Sequence, residues 1–216
     1  MYIKSPFFTG KLKFFITDVE LLSNQLLLKL MSEPKLYSYI LACDNGGAPC
    51  VERGCLTIAI CKPVIRRNAK VGDTIVGISG YKLGKKKKII FMAVITKLVT
   101  MKQYGNYRRS DSIYTSKLKM RPNSFHNCTN REKDISGKNV IMSRDFIYFG
   151  KKHINVPKNL QGIIPGRGHQ STKNNPFKHT LMKLLTSQKK KGVGKRGDYT
   201  EKKTSKCSKQ KKTSRC

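Results

Sequence analysis

Five short runs of β-branched, aromatic and aliphatic residues constrain this chain more than any other feature. They are Leu36–Cys43, Leu56–Cys61, Thr74–Ser79, Ile89–Leu98 and Val140–Phe149. Each has the length of a strand, and turn-rich segments such as Asp44-Asn-Gly-Gly and Tyr81–Lys88 separate them. Helical periodicity between them is weak; its best stretches are Lys102–Tyr107 and the residues before Gly162. Strands that do not alternate regularly with helices favour an α+β fold over a doubly wound one. The expectation is a compact β-rich sheet or small barrel with short helices. The segment from Tyr104 to Lys138 is long, polar and poorly patterned, which predicts either a binding loop or partial disorder.

The flanks differ from this middle. Val19, Leu22, Leu26 and Leu30 recur at helical spacing, so residues 1–30 read as an N-terminal extension with an amphipathic helix, and Met31 as the first residue of the domain proper. The domain is expected to span residues 31–170. Residues 171–188 follow as a short helical segment carrying Leu181, Met182, Leu184 and Leu185. Residues 189–216 carry twelve Lys and Arg, two Asp and Glu, and almost no large apolar side chain. Such a segment cannot offset its ordering entropy, which predicts a disordered Lys-rich tail.

Charge narrows the partner. The 216 residues contain 45 Lys and Arg against 12 Asp and Glu, a net charge of +33, and the tail accounts for only +10 of it. A field of this sign attracts polyanions with steep salt dependence. DNA or a nucleotide is the expected partner, with RNA as an alternative. No run of the sequence is apolar enough to span a bilayer, so no membrane partner is expected. Seven cysteines, an odd number, with no visible secretory signal, predict reduced thiols and a cytoplasmic setting.

The richest segment for chemistry is Cys61–Ser79. Lys62, Arg66, Arg67 and Lys70 cluster ahead of the Val71-Gly-Asp73 corner, and the strand-like Thr74–Ser79 follows. Cations beside a rigid sheet edge can position phosphate; the bland alternative is a solvated loop entering a core strand. Gly166-Arg-Gly-His169 adds a second candidate, because glycines let a ligand approach the backbone while Arg167 offers a planar fork and His169 a titratable donor. Cys43, Cys50, Cys55 and Cys61 lack the paired spacing of a structural zinc site, so no metal and no cofactor is expected. Cys43 and Cys61 end strand-like runs and read as small core residues. A Cys–His pair can be drawn from Cys128 with His126 or His169, but no local signature supports it.

The succession Tyr37-Ser-Tyr, Asp44, Gly47-Ala-Pro49, Gly54-Cys-Leu-Thr-Ile-Ala-Ile-Cys-Lys-Pro63, Ile65-Arg66, Ala69, Val71-Gly-Asp73, Gly77 and Ser79 resembles the second of the nucleotide-modification-associated domain families. Val140-Ile-Met-Ser143, Asp145-Phe-Ile-Tyr-Phe-Gly150, Pro157 and Gly166-Arg-Gly-His169 are similar to its C-terminal half. The resemblance covers residues 35–170. It departs from the family between Tyr104 and Asn139, where the family carries a longer acidic, histidine-containing insert and this chain a shorter basic one. The Val71-Gly-Asp73 corner also has a weaker likeness to base-reading barrels of the pseudouridine-synthase-associated type.

The family resemblance implies an α+β domain associated with DNA base modification that recognises or processes modified bases. In that reading Lys62, Arg66, Arg67 and Lys70 position phosphate, and Arg167 and His169 contact ligand. Asp44 and Asp73 fix turns or accept from a base edge. An enzyme acting on a modified nucleotide would use Asp44 or Asp73 as general base with His169 as its partner. A nonspecific basic RNA-binding protein is the third reading. Convergence of Asp44, Arg66, Asp73, Arg167 and His169 in one pocket would favour a nucleotide site.

Overall fold

The computed structural model describes residues 33–83 and 86–189. The expected N-terminal helix within residues 1–30, the tail from 190 onward and Lys85 lie outside them. Among the described residues ten strands form two sheets, accompanied by four short helices, so the fold is α+β. The first sheet contains β1 (Leu36–Leu41), β4 (Thr74–Ser79), β5 (Lys88–Val94), β8 (Asp145–Tyr148), β9 (Ile154–Asn155) and β10 (His169–Thr172). Its order is β10-β1-β4-β5-β8, with β9 beside β5. The second sheet has the order β2-β3-β7-β6, from Cys50–Glu52, Cys55–Ile58, Asn139–Ser143 and Lys97–Thr100.

Two of the five sequence runs are each two strands. Ile89–Leu98 leaves the first sheet after Val94 and enters the second at Lys97; Val140–Phe149 makes the reverse passage at Arg144. The two bends are stitched together. The Ser143 hydroxyl donates to Val94 O at 2.5 Å, Thr96 N donates to Met142 O at 3.0 Å, and Arg144 N donates to the Thr96 hydroxyl at 3.1 Å. Strands that switch sheets in this way make a corner between the two packed sheets.

Both faces of the first sheet are covered, which is why Thr74–Ser79 is buried at every position and shows no polar alternation. On one face Tyr37, Tyr39, Ile75, Phe91 and Ala93 pack against Leu56, Ile58 and Ile141 of the second sheet and Ile65 of α1 (Pro63–Asn68). On the other, Val76, Ile78, Met92 and Ile147 meet Leu160 and Ile163 of a 3-10 turn and Leu181 and Leu185 of α4 (Lys178–Lys189). The helix beyond residue 170 thus belongs to the same core, and β10 crosses that position. Gly77 lies where β4 bulges against β5; a Cβ there would stand 2.2 Å from Phe91 Cε1 and 2.5 Å from Leu41 Cδ1. Gly77→Ala is therefore expected to cost about 1–3 kcal/mol by overpacking, read as a lower midpoint in urea with an unchanged slope.

β1 and β4 pair in parallel, and β2, β3 and α1 form the crossover between them. The Val71-Gly-Asp73 corner closes it. Asp73 accepts from Lys35 N and Lys70 N, each at 2.7 Å, tying the starts of both parallel strands together. Gly72 has φ +92°, a conformation open to glycine at little cost.

Candidate active site

The chain leaves β3 at Ile58 and enters α1 at Pro63 through a tight elbow. Cys61 and Lys62, both non-glycine, have φ +57° and +43°. Two successive left-handed residues are strained and persist only where their surroundings fix them. Here the fixing is visible. Cys61 N donates to Asp134 Oδ1 at 2.8 Å, Arg66 Nε donates to Cys61 O at 2.9 Å, and Lys62 Nζ donates to Ile40 O at 3.0 Å. Pro63 supplies the helical φ of the first turn.

The elbow presents the Cys61 sulfur to His126. Cys61 Sγ lies 3.0 Å from His126 Nε2, and His126 Nδ1 lies 2.7 Å from Asp134 Oδ2. His126 is held by Asn123, whose side-chain oxygen accepts from Phe125 N at 2.9 Å and His126 N at 2.8 Å. Asp134 stands on α3 (Arg131–Ile135), is 1% exposed, and also accepts from the Tyr114 hydroxyl at 2.9 Å. Burial lowers the affinity of the imidazole for a proton, but the hydrogen bonds to Asp134 and Cys61 outweigh it and raise His126 to about 9. Burial likewise pushes the Asp134 carboxyl up, and its hydrogen bond to His126 and the imidazolium charge more than reverse that, leaving it depressed. At neutral pH the group is an imidazolium held by a carboxylate, with Nε2–H aimed at sulfur.

A metal could be considered, since the three ligand atoms lie within 4.8 Å of one another. The arrangement argues against it. Sulfur and carboxylate address opposite nitrogens of one ring, whereas a metal ligated by His uses one of them. Both Asp134 oxygens are already engaged by donors. The geometry is that of a proton relay behind a thiol nucleophile.

Cys61 and His126 line a cavity of about 260 Å³ at the C-terminal end of β1, together with Tyr39, Asn45, Lys62 and Phe125. The Lys62 ammonium lies 4.5 Å from the centre of the Tyr39 ring, and burial pulls it below its ordinary value.

Arg66 does not reach a ligand. It is 0% exposed, and its guanidinium donates to the carbonyls of Ala59, Cys61, Asp134 and Asn139. A buried cation engaged by these carbonyls clamps the Cys61 elbow to the helix carrying Asp134. Burial pulls it down to about 10, so it stays charged at neutral pH. Asp44 is buried and accepts from the Tyr148 hydroxyl at 2.7 Å, while Asp73 fixes the corner at the far end of β4. Arg67 and Lys70 have exposed side chains, and Arg67 donates to Ser136 O at 3.0 Å. Arg167 and His169 are exposed where β10 begins; Gly168 O accepts from Ile40 N at 2.9 Å, and His169 pairs opposite Tyr39. Of the sequence candidates only Lys62 lines the cavity, and Asp44, Arg66, Asp73, Arg167 and His169 do not converge.

The sequence reads Cys61 as a small core residue and offers no signature for a pair of Cys128 with His126 or His169. The signal that could have found Cys61 is a cysteine two residues before a helix-starting proline, shortly after a buried strand. His126 and Asp134 come from the poorly patterned segment, which folds back on itself through bonds such as Arg121 N to Ile113 O at 2.7 Å.

Fold and site together define an α+β domain built around a thiol–imidazole–carboxylate chain. The model of the nucleotide modification associated domain 2 matches residues 33–121 and 106–203, and the chain belongs to that family. No curated protein and no solved structure matches it. Among the described residues no helix is long and apolar enough to cross a membrane.

Proposed function

We propose that this domain is an enzyme that modifies a nucleotide or nucleobase by nucleophilic catalysis at Cys61. The observation that carries the reading is the Cys61–His126–Asp134 chain at the wall of a cavity of about 260 Å³. Sulfur attacks an electrophilic carbon of the base or its substituent, forming a C–S bond. The displaced electron pair moves to the attached nitrogen or oxygen, and His126 Nε2 delivers its proton there. Asp134, accepting from Nδ1–H, stabilises the imidazolium whose Nε2–H is the proton delivered. Water or an acceptor then takes the group from sulfur, and the proton returns through His126. The family supports the nucleotide part of this reading; the geometry supports the thiol part. Lys62, with Arg167 and His169 along β10, would meet the phosphate or sugar of the bound nucleotide.

The test is conversion of a panel of plain and modified nucleosides, nucleotides and oligonucleotides, followed by mass spectrometry, with intact-protein mass read for an adduct on Cys61. Wild type should convert at least one member, and Cys61→Ala should lower that rate by about 10³-fold or more. Equal conversion by Cys61→Ala would remove the nucleophile and with it the proposal.

A further inference from the structure

The segment joining α2 (Met101–Tyr104) to α3 forms a second, more open cavity, of about 530 Å³. None of its lining residues is acidic, and three are arginines with different surroundings. Arg109 is neutralised: its Nε lies 3.6 Å from buried Asp111 and 4.0 Å from Glu52, and it donates to Glu52 O and Cys55 O. Asp111 in turn accepts from the Thr57 hydroxyl at 2.6 Å and the Tyr104 hydroxyl at 2.7 Å, which fixes this wall to β3. Arg121 donates to the carbonyls of Ser112 and Gly105 at 2.6 and 2.8 Å, contacts that orient its guanidinium without cancelling its charge. Arg108 is exposed and has no ion-pair or hydrogen-bond partner among the described residues. Tyr107 is half-buried and stacks on Tyr104 with ring centres 5.0 Å apart.

The same segment links this cavity to the first. Pro122 lines one and Phe125 the other, so they lie at most about 10 Å apart along the chain. About three stacked nucleotides cover that distance. Ile113 lines the second cavity, and the next residue, Tyr114, bonds Asp134.

We propose that the second cavity binds the nucleotides flanking the target base of a single-stranded polynucleotide. Tyr107 stacks a base, and Arg108 and Arg121 hold phosphates. The strand is unpaired because a stacking platform and a cavity of about 260 Å³ each need a base free of its partner. The inference rests on the Cys61 reading for the target-base end only; the subsite's own ligand follows from its arginines and tyrosine.

The test is fluorescence anisotropy of the full chain with a labelled 12-nucleotide DNA, the RNA of the same sequence, and the DNA duplex, across a salt series. Arg108→Ala should lower the single-strand salt slope by about 0.7, and Tyr107→Leu should weaken single-strand binding about tenfold. Lys151→Ala, an exposed change elsewhere, provides the control for net charge. Variants that bind both single strands as the control does, or that lose duplex binding equally, would overturn the subsite. The DNA and RNA arms show which strand it prefers. Single-strand binding unchanged by Tyr107→Leu and Arg108→Ala, with Cys61-dependent conversion of mononucleotides observed, defeats this inference alone. An intact subsite with Cys61→Ala still converting defeats only the enzyme reading.

Discussion

Arg66→Met should lower the unfolding free energy by about 3–5 kcal/mol, because it removes a fully buried cation and leaves the carbonyls of Ala59, Cys61, Asp134 and Asn139 without their donor. Methionine keeps much of the volume, so the loss reports the polar contacts rather than a cavity. Arg66→Lys should recover only part of it, since one ammonium cannot reproduce the geometry of a planar fork. Gly137 belongs to the same device: a Cβ there would stand 2.3 Å from Arg66 Nη2. Guanidinium denaturation decides the matter, and an Arg66→Met midpoint within 1 kcal/mol of wild type, at equal slope, would refute the clamp.

Asp134→Asn should slow chemistry at Cys61 by about 10⁴-fold, the scale expected when a relay histidine is left in the wrong tautomer. An amide offers one acceptor oxygen where Cys61 N, Tyr114 and His126 all donate, and its NH₂ faces a donor. The same change should bring the His126 titration from about 9 toward the ordinary imidazole value of about 6.5, followed by NMR of the ring protons. Stability follows with a definite sign. His126 is raised in the folded state, so its contribution is complete below the ordinary imidazole value and is lost as pH rises through about 9. Asp134 is depressed, so its contribution is present above the ordinary carboxylate value and is lost as pH falls through its lowered one. The thermal advantage of wild type over Asp134→Asn should therefore be greatest in mildly acidic solution and shrink on either side. A gap independent of pH would contradict the charged pair.

The strands β1 and β4 were legible because β-branched residues fill them and turn residues bound them. The corner at Ile95–Thr96 was not, since both residues are themselves good strand formers and the bend is set by the bonds Thr96 donates to Met142 O and accepts from Arg144 N. Arg66 read as a phosphate ligand because arginine is usually exposed. Its burial depends on four carbonyls that the sequence does not reveal as neighbours. Lys62 was recoverable, lying beside the elbow. The catalytic candidates were not, because sulfur, imidazole and carboxylate meet only through the path of a segment without periodicity.

The strained elbow at Cys61 also fixes when the site comes into being. Its sulfur meets a partner 65 residues away, and its amide one 73 residues away. The sheets join residues farther apart still, such as Ile58 and Ile141, so these contacts belong to the long-range pairing of the whole fold. A growing or partly unfolded chain thus lacks the Cys61–His126–Asp134 arrangement, which exists only in the finished fold.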